Sequence, residues 1–379
     1  MSQAALNRDR LSCIVLLASV VLYFSQEIIL PFAAVGQILL VVIYGISFLY
    51  LIKMILSKEK FHKIMKIWVV FLIMNLFGYL FSSNYSEFEI LKAVLLNFLP
   101  FFPFYYFAKK NILTTKYIVG VFFVLLPIFI LKFQRSVQTL KLEKFNDDYV
   151  DNTVYFFIGL LPFVFFIKNK IVAFLSLMAI WFFMVQSSKR GAILAGIIAI
   201  ILYFIHNLYT ADSKTKFRTY IMSFLLIVGV SLFGYRIYME NEFLITRMND
   251  MLEGDTTGRD SIASNAFQAW YQSDNIFTTL FGLGYNSIKS ITGHVSHNDW
   301  VDMLTSYGIF GLFLYSLIYF IFMKEIMKKD WMVDKKIILI LFFFIAFITS
   351  MTSRWYWSNF AYTQMIILPY ILATKNKRN

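Results

Sequence analysis

The sequence predicts an all-α polytopic integral membrane protein, with about 12 transmembrane helices and one large outer loop carrying an amphipathic helix. Three observations lead there. Of 379 residues, 59% are hydrophobic and 19% aromatic, against 15% charged; a soluble domain carries about 45–50% apolar and roughly 25% charged residues. The apolar residues gather in runs near the roughly 20 residues that a crossing helix needs. The basic residues, finally, fall mostly on one side of those runs. Phe alone occurs 43 times. That much apolar surface calls for lipid as its solvent.

The elements follow in order. Met1 to Arg10 is polar and basic, and the apolar run after it lacks a small-residue cleavage site, so it reads as a retained first helix. Spans are expected to begin near Leu11, Ile28, Ile64, Ile90, Thr115, Thr153, Ile171, Gly191, Phe217, Asp299, Lys336 and Asn359. A tight turn at Ser25-Gln26-Glu27 is expected between the first two. Two outer segments exceed a turn, at 132–152 and 236–298, within a single transmembrane domain over 1–379. The longer one holds Phe267, Trp270, Tyr271, Phe277 and Phe281, too aromatic for a disordered linker. Cys13 is the single cysteine, so neither an intrachain disulfide nor a cysteine metal site is available.

Charge sets the orientation. With both termini cytoplasmic, the inner segments hold 23 Lys and Arg against 6 acids, a net +17. The outer segments hold 12 against 16, a net −4. Cytoplasmic loops carry the Lys/Arg excess in membrane proteins. Topology and anionic headgroups therefore account for the net charge of +13, and nucleic acid is not needed as a partner.

Three outer features carry chemistry. Thr257 and Asp260 have capping-box spacing and open a helix whose Ile262, Ala263, Ala266, Phe267 and Trp270 form one apolar face, suited to the outer membrane surface. Ser296 and Asp299 repeat that spacing before the next span, which puts His297 in its first turn. The helix dipole there disfavours imidazolium and leaves His297 neutral, able to accept a proton. Ser187-Ser188-Lys189-Arg190-Gly191 joins two spans on the outer side against the positive-inside bias, with Arg190 near the start of a helix. An arginine at that place can grip a phosphate bidentately. Outer arginines, one histidine and no metal cluster suit a phosphate-bearing substrate held at the membrane surface: arginine stabilises a leaving pyrophosphate, and histidine takes a proton from an attacking hydroxyl.

These pieces resemble the O-antigen polymerase and O-antigen ligase superfamily. The resemblance covers about 186–320 and rests on Ser188-Lys189-Arg190-Gly191, Gly258-Arg259, Gly282-Leu283-Gly284, and Ser296-His297-Asn298-Asp299 followed by Gly308-Ile309-Phe310-Gly311. It implies metal-independent glycan transfer, without a cofactor, from an undecaprenyl-diphosphate-linked oligosaccharide at the periplasmic face of a bacterial inner membrane. Arg190 and Arg259 then become diphosphate contacts and His297 the base. Arg354, in the aromatic belt Ser353-Arg354-Trp355-Tyr356-Trp357, is the best further diphosphate contact. His294, Asn298 and Asp299 complete the expected substrate contacts, with Asp299 or Asp302 orienting the ring or meeting sugar hydroxyls and Asp299 also read as a capping residue. A polymerase is favoured over a ligase by the H-N-D-W-V-D-M-L stretch; a chain-length regulator is a possible partner. Arg247 and Gly258 fit an Arg-x10-Gly spacing, which arises easily by chance.

Blander readings exist for each residue. Arg190 can anchor at headgroups, Arg259 can lie on a solvated helix face, and His297 can be a packing residue. Lys189, Arg236 and Arg247 have structural duty as their simplest reading, His62 and His206 sit at the inner interface, and Asp147-Asp148 is solvated loop charge. The rival from another class is a lipid-oligosaccharide flippase, which calls for midplane charges and inverted repeats. Here the charges gather at span ends and the long loop has no counterpart. A non-enzymatic scaffold and a protein O-oligosaccharyltransferase are the remaining alternatives.

Overall fold

A computed structural model describes residues 3–29, 33–57, 61–82, 88–144, 150–211, 216–240, scattered positions between 241 and 250, 259–358 and 361–376. All regular structure among them is helical. The chain runs through α1 (Gln3–Ile29), α2 (Ala33–Leu56), α3 (Lys63–Leu80), α4 (Phe88–Phe98), α5 (Phe101–Lys109), α6 (Thr115–Lys144), α7 (Val154–Val164), α8 (Lys170–Gln186), α9 (Arg190–Thr210) and α10 (Lys216–Glu240). Three short helices follow, α11 (Arg259–Tyr271), α12 (Ile276–Phe281) and α13 (Ser287–Thr292). Then come α14 (Asp299–Met327), α15 (Val333–Thr352), and a π turn (Thr363–Ile367) leading into α16 (Leu368–Ala373).

The described part of every expected span is helical, and among the described residues seven helical segments are long and apolar enough to cross a membrane: those of α2, α3, α4 with α5, α6, α9, α14 and α15. The chain is a multi-pass membrane protein. Its lipid-facing surface is visible on α2, where Ile38, Val41, Phe48, Leu49, Ile52 and Ile55 recur at helical spacing and are all exposed. In water such a stripe would have to be covered. At 11 residues, α7 is about 16 Å long and cannot cross alone. It is buried among α6, α8 and α9 instead.

The centre of the molecule is α5. Phe101 to Ala108 are all buried, as befits a helix apolar on every side. Pro100 separates α4 from α5, since a proline has no N–H to continue the ladder. Around α5 the aromatics interlock: Trp68 meets Phe98 and Phe101 edge-on at 4.9 and 4.4 Å, and Phe98 meets Trp355 at 5.8 Å. The high aromatic content thus fills a core as well as facing lipid.

Two boundaries and one helix face differ from expectation. The helix α1 passes through Ser25-Gln26-Glu27, where Ser25 Oγ donates to its own helix at Val21 O, and ends at Ile29. The expected outer loop 132–152 is helical through Lys144, because its polar residues are good helix formers; Lys132 is buried with its ammonium 4.7 Å over the Phe156 ring. On α11 the inward face is Ile262, Ala263, Ala266 and Trp270, while Phe267 stands exposed and stacks on Tyr271. Thr257, Gly258, Arg247, Asp147 and Asp148 lie outside the described residues.

Opposite ends of α14 carry different clusters. At its C-terminal end Glu325 is buried, with Lys328 Nζ at 2.5 Å and His62 Nε2 at 3.3 Å; Lys375 joins from the C-terminal segment. His62 also caps α3. His206 is buried inside α9 against Phe165. The N-terminal end of α14 gathers the outer motifs.

Candidate functional site

The turn between α8 and α9 is built by residues 187–189. Ser188 is left-handed (φ 54), and extended Lys189 makes Arg190 the first residue of α9, as its sequence position predicts. Lys189 is nearly buried: its ammonium donates to Asn152 Oδ1 at 2.6 Å and lies 5.5 Å over the Tyr155 ring. The same turn is tied to the start of α7 by Asp151 N, which donates to Ser187 O. Burial pushes the Asp151 carboxyl up, with bonds from Thr153 and Ser136 and the charge of Lys189 acting against it.

The end of α15 abuts this turn. A Cβ on Gly191 would run into Thr352 Oγ1, so glycine lets α9 start close to α15 without displacing that side chain. The carbonyl of Thr352 then accepts from Arg259 Nη1 at 2.9 Å. That bond pins the start of α11 to the α9–α15 junction, and it brings Arg259 within electrostatic reach of Arg190. Arg354 follows on the turn after α15. Its guanidinium lies 3.9 Å over the Trp357 ring, a cation–π contact. Burial lowers the pKa of both Arg259 and Arg354. Arginine still keeps its charge, so the cost shows as positive potential at the site.

His297 stands among these cations. Its backbone is left-handed (φ 50), and its half-buried ring leaves Nδ1 without a partner among the described residues. The pKa falls to about 4, by burial first and then by the charges of Arg354, Arg259 and Lys189. His297 is therefore neutral at pH 7, as expected, but for another reason than the one the sequence suggests. It precedes the helix rather than lying in its first turn. Asn298 is the cap: its Oδ1 accepts from Trp300 N at 3.0 Å and Val301 N at 3.3 Å. Ser296 Oγ turns the backbone by bonding Asn298 instead of reaching Asp299.

Two of the expected substrate contacts have structural duty here. Asn298 spends its acceptor on the helix end. Asp299 is no cap and is fully buried: its Oδ2 accepts from Tyr315 OH at 2.7 Å, Trp355 N at 2.7 Å and Tyr356 N at 3.4 Å. Asp302, also buried, accepts from Tyr356 OH at 2.5 Å and Ser306 Oγ at 3.1 Å. His294 is exposed on the turn after α13, its backbone bonded to Thr292 Oγ1. It is not among the charges acting on His297. Arg236 is exposed and paired with Glu240 at 2.8 Å.

No family model matches the chain, and no curated protein does. The geometry has to carry the chemistry.

Lys189, Arg259 and Arg354 come from three separate stretches of sequence and act on one neutral imidazole, with Arg190 within reach of Arg259. The carboxylates acting on them, Asp299, Asp302 and Asp151, accept from tyrosines, hydroxyls and backbone amides, with Asp299 Oδ1 and Asp151 Oδ2 left without a partner among the described residues. Guanidinium and ammonium groups in partly dry surroundings suit a polyanion such as a diphosphate. Among the described residues no three His, Cys, Asp or Glu side chains are grouped as metal ligands. The role of Lys189 and the Asp299–Asp302 network escaped the sequence reading. The signal for the network was two acids three residues apart at the head of an apolar span, where a charge is costly unless bonded.

Proposed function

We propose that this chain is a glycosyltransferase of the O-antigen polymerase type, joining undecaprenyl-diphosphate-linked oligosaccharide repeats at the periplasmic face of a bacterial inner membrane. One observation carries the reading: Arg259, Arg354 and Lys189 act together on the neutral ring of His297, and Arg190 stands within electrostatic reach of Arg259, which Thr352 O holds at 2.9 Å. On this reading the arginines hold the diphosphate of the donor. His297 accepts the proton of the acceptor hydroxyl as its oxygen attacks the anomeric carbon. The bond from that carbon to the diphosphate breaks, and the diphosphate leaves with the electron pair, stabilised by the guanidinium groups. Both termini lie in the cytoplasm, and α11 to α13 lie on the outer membrane surface, with their exposed aromatic and aliphatic side chains among headgroups and acyl chains.

The reading is tested by glycan analysis of a deletion strain complemented with variants. Deletion should leave lipopolysaccharide capped by a single repeat. Arg190→Ala, Arg259→Ala and His297→Ala should each fail to restore long chains while inserting normally. Long-chain glycan accumulating on the lipid carrier in the deletion strain would indicate a ligase instead, and normal chain length with both arginine variants would sink the site assignment.

A further inference from the structure

We propose that Asp299 is a positioning residue that fixes the turn carrying Arg354 against the turn carrying His297. The proposal rests on the anion-site reading above. Asp299 is two residues from His297, at the head of α14. Its carboxylate crosses to a segment 56 residues away and takes the amides of Trp355 and Tyr356. Those two amides follow the end of α15. Ser353 N still bonds back to Thr349 O, but the chain then leaves the helical path, and the next amides need partners from elsewhere. Irregular backbone inside a membrane protein persists only where other groups satisfy it.

The whole turn is gripped in this way. Tyr356 OH donates to Asp302, Asn97 Nδ2 donates to Tyr356 O at 2.7 Å, and Gln364 Nε2 donates to Trp355 O at 3.4 Å. Arg354 immediately precedes the clamped amide of Trp355, so the clamp sets where its backbone stands. A buried carboxyl is costly unless its oxygens are bonded; Oδ2 of Asp299 takes three donors, while Oδ1 has none among the described residues. Asp299 is not needed to cap α14, because Asn298 does so. What its carboxylate does is link the two turns.

A double-mutant cycle tests this on the purified full chain in detergent, titrated calorimetrically with inorganic pyrophosphate. Arg354→Ala should weaken binding about tenfold, the loss of one hydrogen bond to a charged group. Asp299→Ala should do the same, and the double variant should be about tenfold rather than a hundredfold weaker, because both changes remove one function. Asp299→Asn keeps an acceptor oxygen and should bind within about twofold of wild type. If wild type binds pyrophosphate and Arg354→Ala weakens it, but Asp299→Ala binds normally or the two losses multiply, the proposal falls while the anion site stands. A loss with Asp299→Asn as large as with Asp299→Ala also overturns it. If wild type does not bind pyrophosphate, the site reading falls and takes the proposal with it. Should Asp299→Ala fail to fold, Asn97→Ala, which frees the same turn from α4, goes through the same cycle, and multiplied losses count against the clamp.

Discussion

Gly282 and Gly308 meet backbone to backbone: a Cβ on Gly308 would lie 2.6 Å from the amide nitrogen of Gly282, and one on Gly282 would strike the backbone of Ser306 and Tyr307. The contact is possible because α14 is broken at Gly308, where φ is 65° and ψ −160°, a conformation open essentially to glycine alone. The break frees the carbonyl of Thr305, and Leu283 N fills the vacancy with a 2.7 Å bond. Two glycine motifs far apart in sequence are thus the two halves of one joint, which fastens the α11–α13 segment to α14. Gly308→Ala combines backbone strain with a clash that neither backbone can relieve. It should cost about 2–3 kcal/mol or more. Thermal unfolding in detergent should show a Tm lower by several degrees, and Gly282→Ala should match it.

Arg259 has two duties, the bond to Thr352 O and the charge it adds beside Arg190 and His297. Lysine keeps the charge and loses the fork. If the chain is the polymerase proposed above, Arg259→Lys should retain measurable polymer formation, while Arg259→Ala should lose about 100-fold in rate, the scale for deleting one preorganised donor. Polymer length per unit time on a purified lipid-linked substrate separates the two. Equal rates for both variants would show that charge at this place does not matter.

The histidine gives the pH dependence. Its pKa near 4 lies below the ordinary 6.5 or so, so the folded protein disfavours the proton. Between those values the unfolded chain binds a proton that the folded chain does not, and stability falls as pH drops through that window. For catalysis, the acid limb of kcat/KM should lie near pH 4 if His297 is the base. The limb of kcat should sit higher, because a bound diphosphate neutralises the cations that hold the imidazole down. Arg354→Ala removes the first of those cations and should move the kcat/KM limb upward. A limb that ignores Arg354 would mean that another group is titrating.

The helices were readable because lipid imposes long apolar runs, and the described part of each expected span is helical within a few residues. Arg190 was readable because a short turn fixes it at a helix start. The rest depended on distance. Ser296-x-x-Asp299 satisfies a capping rule as well as Asn298 does, and no local window shows that the carboxylate of Asp299 is wanted by Trp355 and Tyr356. Phe267 fits the apolar period of α11 as well as Ile262 does, and only the packing of α11 on α14 decides which of them turns inward. The helical extension to Lys144 is invisible to hydropathy, because a polar run closes the apolar stretch of α6 although nothing in its residues breaks a helix.

The outward side of α11 and α12 makes the last prediction. Tyr271 is 74% exposed, Ile276 70%, Phe277 69% and Phe281 57%. This surface is continuous with the exposed flank of α14, since Phe281 lies 6.2 Å from Phe310, which is itself 47% exposed beside Phe313 at 62%. Phe310 and Phe313 belong to a helix long and apolar enough to cross the bilayer. A surface that joins them is therefore expected to rest in the membrane boundary, because so large an apolar patch is otherwise exposed to water. In a background whose seven tryptophans are accounted for by difference, Phe277→Trp should add emission that is quenched by lipids brominated near the headgroup more strongly than by aqueous iodide. Stronger quenching by iodide would lift α12 off the membrane. Phe277→Asp, which puts a charge at the same place, should then be tolerated as a surface change instead of lowering the folded yield.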